Sequence, residues 1–356
     1  MLKYKKLCNK IIITFVAMSK KGVLLINLGT PNSPSTKDVR KYLREFLMDK
    51  YVIDLPYAIR WGLVNLIIAP FRSPKSAELY QQIWTENGSP LMYYGERVKT
   101  LLQKKVSDNA TVYLGMRYQN PSLNSVLKQI KADGITDLKV IPLYPQYASS
   151  STKTCIEKVK TELKKISYSP KLDFVENFIQ NEKFIETIAD LGNAYWKSNS
   201  FNKIVFSYHG IPERHILKDS VAGHCKLNEN CCNKYKSENR LCYRAQCYET
   251  SRLIAKKMNL KDDDYIVSFQ SRLETRAKDP WLKPYTDIVI ADLAKQGVEN
   301  VLAFSPSFIA DCLETTFEVG IEFKEIFEEN GGKKWQLVES LNEEPKWIEA
   351  LEELSK

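Results

Sequence analysis

Val23-Leu24-Leu25-Ile26 runs straight into Asn27-Leu28-Gly29-Thr30-Pro31. Four apolar residues without alternation read as a strand buried on both faces, and the Gly and Pro that follow end it. Val112 to Leu114, Val140 to Leu143 and Leu172 to Val175 repeat the pattern. Helical periodicity fills the gaps, over Arg97 to Val106, Leu123 to Ala132 and Cys155 to Leu163. A second series follows: Ile204-Val205-Phe206, Tyr265-Ile266-Val267, Val301-Leu302-Ala303-Phe304 and a weak Leu337-Val338, separated by helical stretches at Thr250 to Met258, Tyr285 to Lys295 and Thr315 to Glu328. Fully apolar strands alternating with amphipathic helices predict parallel sheets covered on both faces. The expected fold is α/β: two similar Rossmann-like, doubly wound domains, each a four-stranded parallel sheet flanked by helices. Asn181 to Trp196 reads as a bridging helix, and Glu344 to Leu354 as a helix packing back on the first domain. The domains then span 21–180 with 340–356, and 181–339.

The chain has 356 residues, 44% hydrophobic and 27% charged, which suits two cores and predicts no extended disorder. Its net charge of +9 favours an anionic ligand or an anionic membrane surface. No Lys/Arg-rich block with interleaved aromatics occurs, so no nucleic-acid partner is expected. Residues 1–20 read as a leader: Lys3, Lys5, Lys6 and Lys10 precede the apolar Ile11 to Met18. This resembles the front of a signal peptide without its cleavage site, or an over-extended start with Met18 the natural beginning. The expected location is cytoplasmic, with peripheral contact to the inner membrane.

In open α/β sheets, ligands bind beyond the carboxyl ends of strands. Neither GxGxxG, GxxxxGK[ST], GxSxG nor HExxH is present, which excludes the commonest uses of such a sheet. Four features remain. His209, one of three histidines, sits in Phe206-Ser207-Tyr208-His209-Gly210-Ile211-Pro212, at a strand end where Gly and Pro make a rigid turn. It is either a proton-transfer group or a core histidine bonded to a backbone carbonyl. Glu314, Glu318 and Glu322 recur every four residues and line one helical face. They serve a divalent cation or a proton relay, or form a solvated acidic face. Cys225, Cys231, Cys232, Cys242 and Cys247 fall in C-x5-C-C-x9-C-x4-C spacing, which suits an iron–sulfur cluster, structural zinc or free thiols. Tyr51 to Phe71, mostly apolar, reads as amphipathic or wholly buried, able to wall a flat apolar ligand or touch a membrane.

Together these residues resemble the ferrochelatase family. Ser207-Tyr208-His209-Gly210-Ile211-Pro212 is similar to its S-x-H-[GS]-[LIVM]-P signature, and matches extend from about Gly22 to Leu354 through Gly88-Ser89-Pro90, Arg117-Tyr118, Tyr144-Pro145-Gln146-Tyr147, Trp281 to Thr286 and Leu313-Glu314-Thr315. The resemblance implies two chelatase-type domains around a porphyrin cleft and a lyase-class metal chelatase that forms haem from Fe²⁺ and protoporphyrin IX or coproporphyrin III. It implies that His209 and Glu314 are the catalytic pair, with Glu318 and Glu322 joining them in handling the metal. Arg72, Lys75, Tyr80, Ser89, Arg117, Tyr118 and Trp281 are then porphyrin-pocket residues. The alternatives are a cobalt or nickel chelatase acting on another tetrapyrrole, and a non-enzymatic haem or iron–sulfur binding protein.

Three departures stand out. Cys312 replaces a histidine found in many relatives, and Leu28 a tyrosine found in some. The segment 219–247 carries an insertion with the cysteines. By similarity to bacterial relatives with such an insertion, a [2Fe-2S] cluster is expected on four of the five cysteines, the sequence leaving open which four.

Overall fold

The computed structural model describes residues 19–107, 109–197, 201–221, 224–272 and 279–356. The leader expected at residues 1–20 lies, up to Met18, outside them. Along the first half run β1 (Lys21–Asn27), α1 (Thr36–Leu47), α2 (Tyr57–Gly62), a π-helical turn (Leu63–Ile68), α3 (Ala69–Ile83), α4 (Pro90–Val106), β2 (Thr111–Met116), α5 (Leu123–Ala132), β3 (Asp137–Pro142), α6 (Thr154–Lys165) and β4 (Lys171–Phe174). Next come α7 (Glu182–Trp196), β5 (Lys203–His209), α8 (Glu213–Asp219), α9 (Tyr243–Met258), β6 (Tyr265–Gln270), α10 (Thr286–Lys295) and β7 (Asn300–Phe304). A π-helix (Glu314–Glu322), α11 (Phe323–Glu329), β8 (Lys334–Leu337) and α12 (Pro345–Leu354) complete the chain.

Among the described residues the strands form two four-stranded sheets, ordered β2-β1-β3-β4 and β6-β5-β7-β8. Every pairing is parallel, Leu25 lying between Leu114 and Ile141, and Val205 between Ile266 and Ala303. The two orders are the same order twice, as the alternation of apolar runs predicted. In each sheet the chain steps to one side of its first strand, then to the other. The reversal opens a crevice at the carboxyl ends of β1 and β3, and of β5 and β7.

One apolar core runs through both sheets, from Leu25 and Leu114 through Phe184 and Trp347 to Phe206 and Phe304. The helix α12 supplies Trp347, Ile348 and Leu351 to this core and packs on α4 and α7. The segment from Tyr51 to Phe71 is neither wholly buried nor an ordinary core helix. It forms α2, the π-turn and the start of α3, with Tyr57, Leu66, Ile67 and Phe71 exposed by 66%, 62%, 56% and 80%. Among the described residues no helix is long and apolar enough to cross a membrane.

Gly29 makes the first crevice possible. Its φ is +105°, and a Cβ there would lie 1.9 Å from the Tyr118 carbonyl oxygen. Gly29→Ala should therefore destabilise the protein by more than about 3 kcal/mol. Gly62→Ala, in a helical backbone with open space around the added methyl, should stabilise it by about 0.5–1 kcal/mol. Thermal melts of the two variants check the contrast, and equal melting temperatures would refute it.

Candidate active site

The second crevice carries the chemistry. His209 ends β5, and its neighbour Gly210 donates its N–H to the Gln270 carbonyl at 2.8 Å, so the turn stays tied to β6. A Cβ at Gly210 would lie 2.7 Å from that same oxygen. Leu282 N–H donates to the Ile211 carbonyl at 3.0 Å, which seats Trp281 beside the turn.

His209 Nδ1 lies 2.6 Å from the Gly210 carbonyl oxygen. A carbonyl only accepts, so Nδ1 carries the hydrogen and Nε2 keeps its lone pair in the neutral ring. Burial holds the imidazole below its ordinary value, against the opposing influence of Glu314 and the Gly210 carbonyl. The ring thus combines both sequence readings: it is bonded to a backbone carbonyl, and it keeps a free basic nitrogen.

Glu314 opens the π-helix after β7. Its loop is pinned by Asp311, which accepts from Asn342 Nδ2 at 2.7 Å, and Trp335 Nε1 donates to the Val319 carbonyl at 2.7 Å to seat the π-helix on β8. The i→i+5 bonding of a π-helix widens each turn, so residues four apart remain close to one face. Glu314 acts electrostatically on His209, Tyr42, Tyr80 and Cys312. Burial, and then these charges, hold the Tyr42 and Tyr80 phenols and the Cys312 thiol protonated. The site therefore joins the two halves of the chain: α1 and α3 bring Val39 and Tyr80 against Leu313 and Phe317.

Glu318 is held differently. Ser271 donates to it from both its backbone N–H, at 2.7 Å, and its hydroxyl, and Gln270 Nε2 donates at 3.2 Å. Ser271 adopts φ +60°, a left-handed conformation costly for a non-glycine residue, to make these bonds. Burial pushes the Glu318 carboxyl up to about 7, Glu314 adding to the rise against the hydrogen bonds. Glu322, one step further, is exposed and near Lys75. The three carboxyls thus grade from the His209 centre to the surface.

The other expected pocket residues divide. Lys75 and Arg72 are exposed on α3, Lys75 near Glu322. Ser89, buried, accepts from Thr30 Oγ1 at 2.9 Å in the first crevice. Arg117 and Tyr118 converge on Asp49, the Tyr118 hydroxyl donating at 2.9 Å; Thr154 Oγ1 donates to Asp49 at 2.5 Å, and the guanidinium stacks 4.5 Å from the Tyr118 ring. Tyr118 is fully buried there, so it braces Arg117 rather than facing solvent. Sequence reasoning missed Tyr42, Asp49 and Tyr243. Gln270, the last residue of β6, and Ser271, the first after it, carry no motif and are marked only by that strand-end position.

The cysteines also divide. Cys231 Sγ lies 3.8 Å from Cys232 Sγ, and Cys225 and Cys242 act electrostatically on these thiols. The interaction between Cys232 and Cys242 lowers the Cys242 thiol and raises that of Cys232. Cys247 is buried in α9 beside Tyr208 and Tyr243. Among the described residues, no group of three or more His, Cys, Asp or Glu is already arranged to hold a metal ion. Beside Cys231 lies a cavity of about 400 Å³ lined by Lys226, Lys234, Lys236 and His224.

A neutral base with a free lone pair, beside a run of carboxyls that leads to the surface, can take protons from a bound ligand and pass them outward. Comparison with known proteins identifies the family. The family model described as Ferrochelatase matches residues 20–356. Ferrochelatase of Legionella pneumophila (strain Philadelphia 1) is 44% identical over 94% of this chain and 98% of that protein. Ferrochelatase of Coxiella burnetii (strain CbuK_Q154) is 43% identical over 95% and 94%. Among solved structures, SirB from Bacillus subtilis with Fe³⁺ shares the fold at a TM-score of 0.50 and 10% identity, over 94% of this chain and 93% of that one. The chain belongs to the ferrochelatase family.

Proposed function

We propose that this chelatase inserts Fe²⁺ into protoporphyrin IX or coproporphyrin III, with His209 as the acceptor of the porphyrin N–H protons. The observation that carries the reading is the His209 ring itself, its Nδ1 on the Gly210 carbonyl and its Nε2 free. Insertion requires a planar macrocycle to be bent and two weakly acidic N–H protons to leave. A tight cleft can hold a bent ring using binding energy from the rest of the ligand. His209 Nε2 then takes a proton, and Glu314 and Glu318 carry it toward Glu322 and solvent. Glu318, with its carboxyl near 7, exchanges protons readily at neutral pH. Arg72 and Lys75, at the mouth, suit the ligand's carboxylates. Tyr57, Leu66, Ile67 and Phe71 support peripheral membrane contact on the cytoplasmic side and an apolar porphyrin.

We further propose that the cysteine loop holds a [2Fe-2S] cluster. The donor set supports it: Cys231 Sγ lies 3.8 Å from Cys232 Sγ, Cys225 and Cys242 act electrostatically on that pair, and Cys247 is fully buried within α9. A cluster bound there supplies one-electron redox chemistry and a cross-link through the loop. The lysines lining the adjoining cavity would offset the negative charge of the thiolates.

His209→Ala should lower the chelation rate at least about 100-fold while porphyrin still binds, as followed by fluorescence quenching. Full activity in that variant would remove the assignment. Because folded Glu318 keeps its proton above the ordinary carboxylate range, the unfolded chain binds fewer protons between pH 4.5 and 7. Stability should fall by up to about 3 kcal/mol as the pH rises through that window, and Glu318→Gln should lack that part of the fall; parallel pH-stability curves would sink the idea. Anaerobically purified protein should show cluster absorption and, once reduced, an electron-spin signal. Cys225, Cys231, Cys232 and Cys242 variants to Ser should lose both and Cys247→Ser keep them. A colourless protein with stoichiometric zinc would exclude the cluster.

A further inference from the structure

Tyr243 begins α9, directly after Cys242, which occupies the cap position of that helix. Its side chain is buried, and burial keeps the phenol protonated. The hydroxyl donates to the His209 backbone carbonyl at 2.8 Å and lies 3.1 Å from Ser307 Oγ. With its one hydrogen committed to His209, the phenol oxygen is left to accept from Ser307. His209 ends β5 at the turn, and Ser307 belongs to the segment between β7 and Glu314. One hydroxyl therefore ties together the two strand-end segments that carry the catalytic pair. The contact continues one residue on, where the Phe308 ring lies 6.3 Å from the His209 ring.

The first turns of α9 are fixed from other sides too. The Gln246 side chain accepts from Tyr147 N–H at 2.7 Å and donates to the Arg240 carbonyl at 2.5 Å. The helix start cannot shift without moving the first crevice's β3 loop and the end of the cysteine loop. Cys242, meanwhile, ends the cysteine loop and interacts electrostatically with Cys232.

We propose that Tyr243 is a positioning residue for chelation, setting the His209 turn against the Glu314 segment, and that the cysteine loop acts on the active centre through Cys242 and this one hydroxyl. The proposal rests on the ferrochelatase reading, and it holds whichever group occupies the thiols. A ring that only filled space would be replaced by Phe without consequence. A hydroxyl that holds two segments in register would not be, because a hydrogen bond that keeps a base aligned acts on turnover more than on ligand binding.

The test uses the full chain. Tyr243→Phe, which keeps the ring's packing, should lower kcat about tenfold with KM for porphyrin within about twofold. It should also shift the His209 imidazole resonances in histidine-labelled protein, where three histidines in all make the assignment tractable. Unchanged kcat and unchanged resonances would overturn the positioning role. Cys242→Ser should lower kcat in the parent and add little in the Tyr243→Phe background. If the two effects multiply instead, the cysteine loop does not act through Tyr243. A protein with no cluster would defeat the cluster reading and leave each of these outcomes decisive.

Discussion

The placement of His209 follows from the burial of β5. Its residues from Ile204 to Tyr208 are enclosed, paired to β6 on one edge and β7 on the other. A strand bonded on both edges and packed on both faces has no freedom to slide, because a slip of one residue would turn every side chain to the wrong face. His209 is the first residue at which the enclosure opens. Its backbone is fixed by the sheet below and by Gly210, whose missing Cβ lets the turn lie against the Gln270 carbonyl. The Glu314 segment, leaving β7 next door, inherits the same rigidity through Asp311 and Trp335.

Around that rigid turn, charge and burial oppose each other. Desolvation favours the neutral form of every ionisable group present. His209 loses basicity, and the Tyr42, Tyr80 and Cys312 protons are held. Glu314 pulls the other way on the histidine. Strong hydrogen bonds from Ser271 and Gln270 would normally drive a carboxyl's pKa down, yet burial and the nearby Glu314 charge outweigh them at Glu318. The result is a neutral base and a Glu318 carboxyl that exchanges protons near neutral pH, set among groups whose protons stay fixed, which suits a reaction that must remove two protons from a hydrophobic ligand.

Much of the fold could be read from the chain because its signals are local. The helix Leu123 to Ala132 is found at both ends as expected: periodicity sets its length, and Ser122 caps it by accepting from Ser125 N–H. Six of the strands follow from short apolar runs, whereas the outer β4 and β8 are only partly buried and carry polar residues, so their signal is weak. The site was harder, since its partners converge from separate elements. Asp49 meets Arg117, Tyr118 and Thr154 across long sequence distances. Tyr243 looks like any core aromatic until its hydroxyl partner is known. The four-residue glutamate spacing predicted a shared face, but the π-helical widening, and with it the difference between bonded Glu318 and exposed Glu322, leaves no mark in spacing alone.

The division among the cysteines has the same origin. C-x5-C-C-x9-C-x4-C treats Cys242 and Cys247 alike, yet α9 separates them. Cys242 caps the helix and looks back along the loop, whereas Cys247, five residues on, has rotated into the core against Tyr208. At 3.6 residues per turn a five-residue step turns a side chain by about 140°, far enough to take it from the loop's side of the helix to the sheet's. The proposed choice of Cys225, Cys231, Cys232 and Cys242 rests on that helical geometry. It also puts the fourth of them one peptide bond from the tyrosine that holds His209.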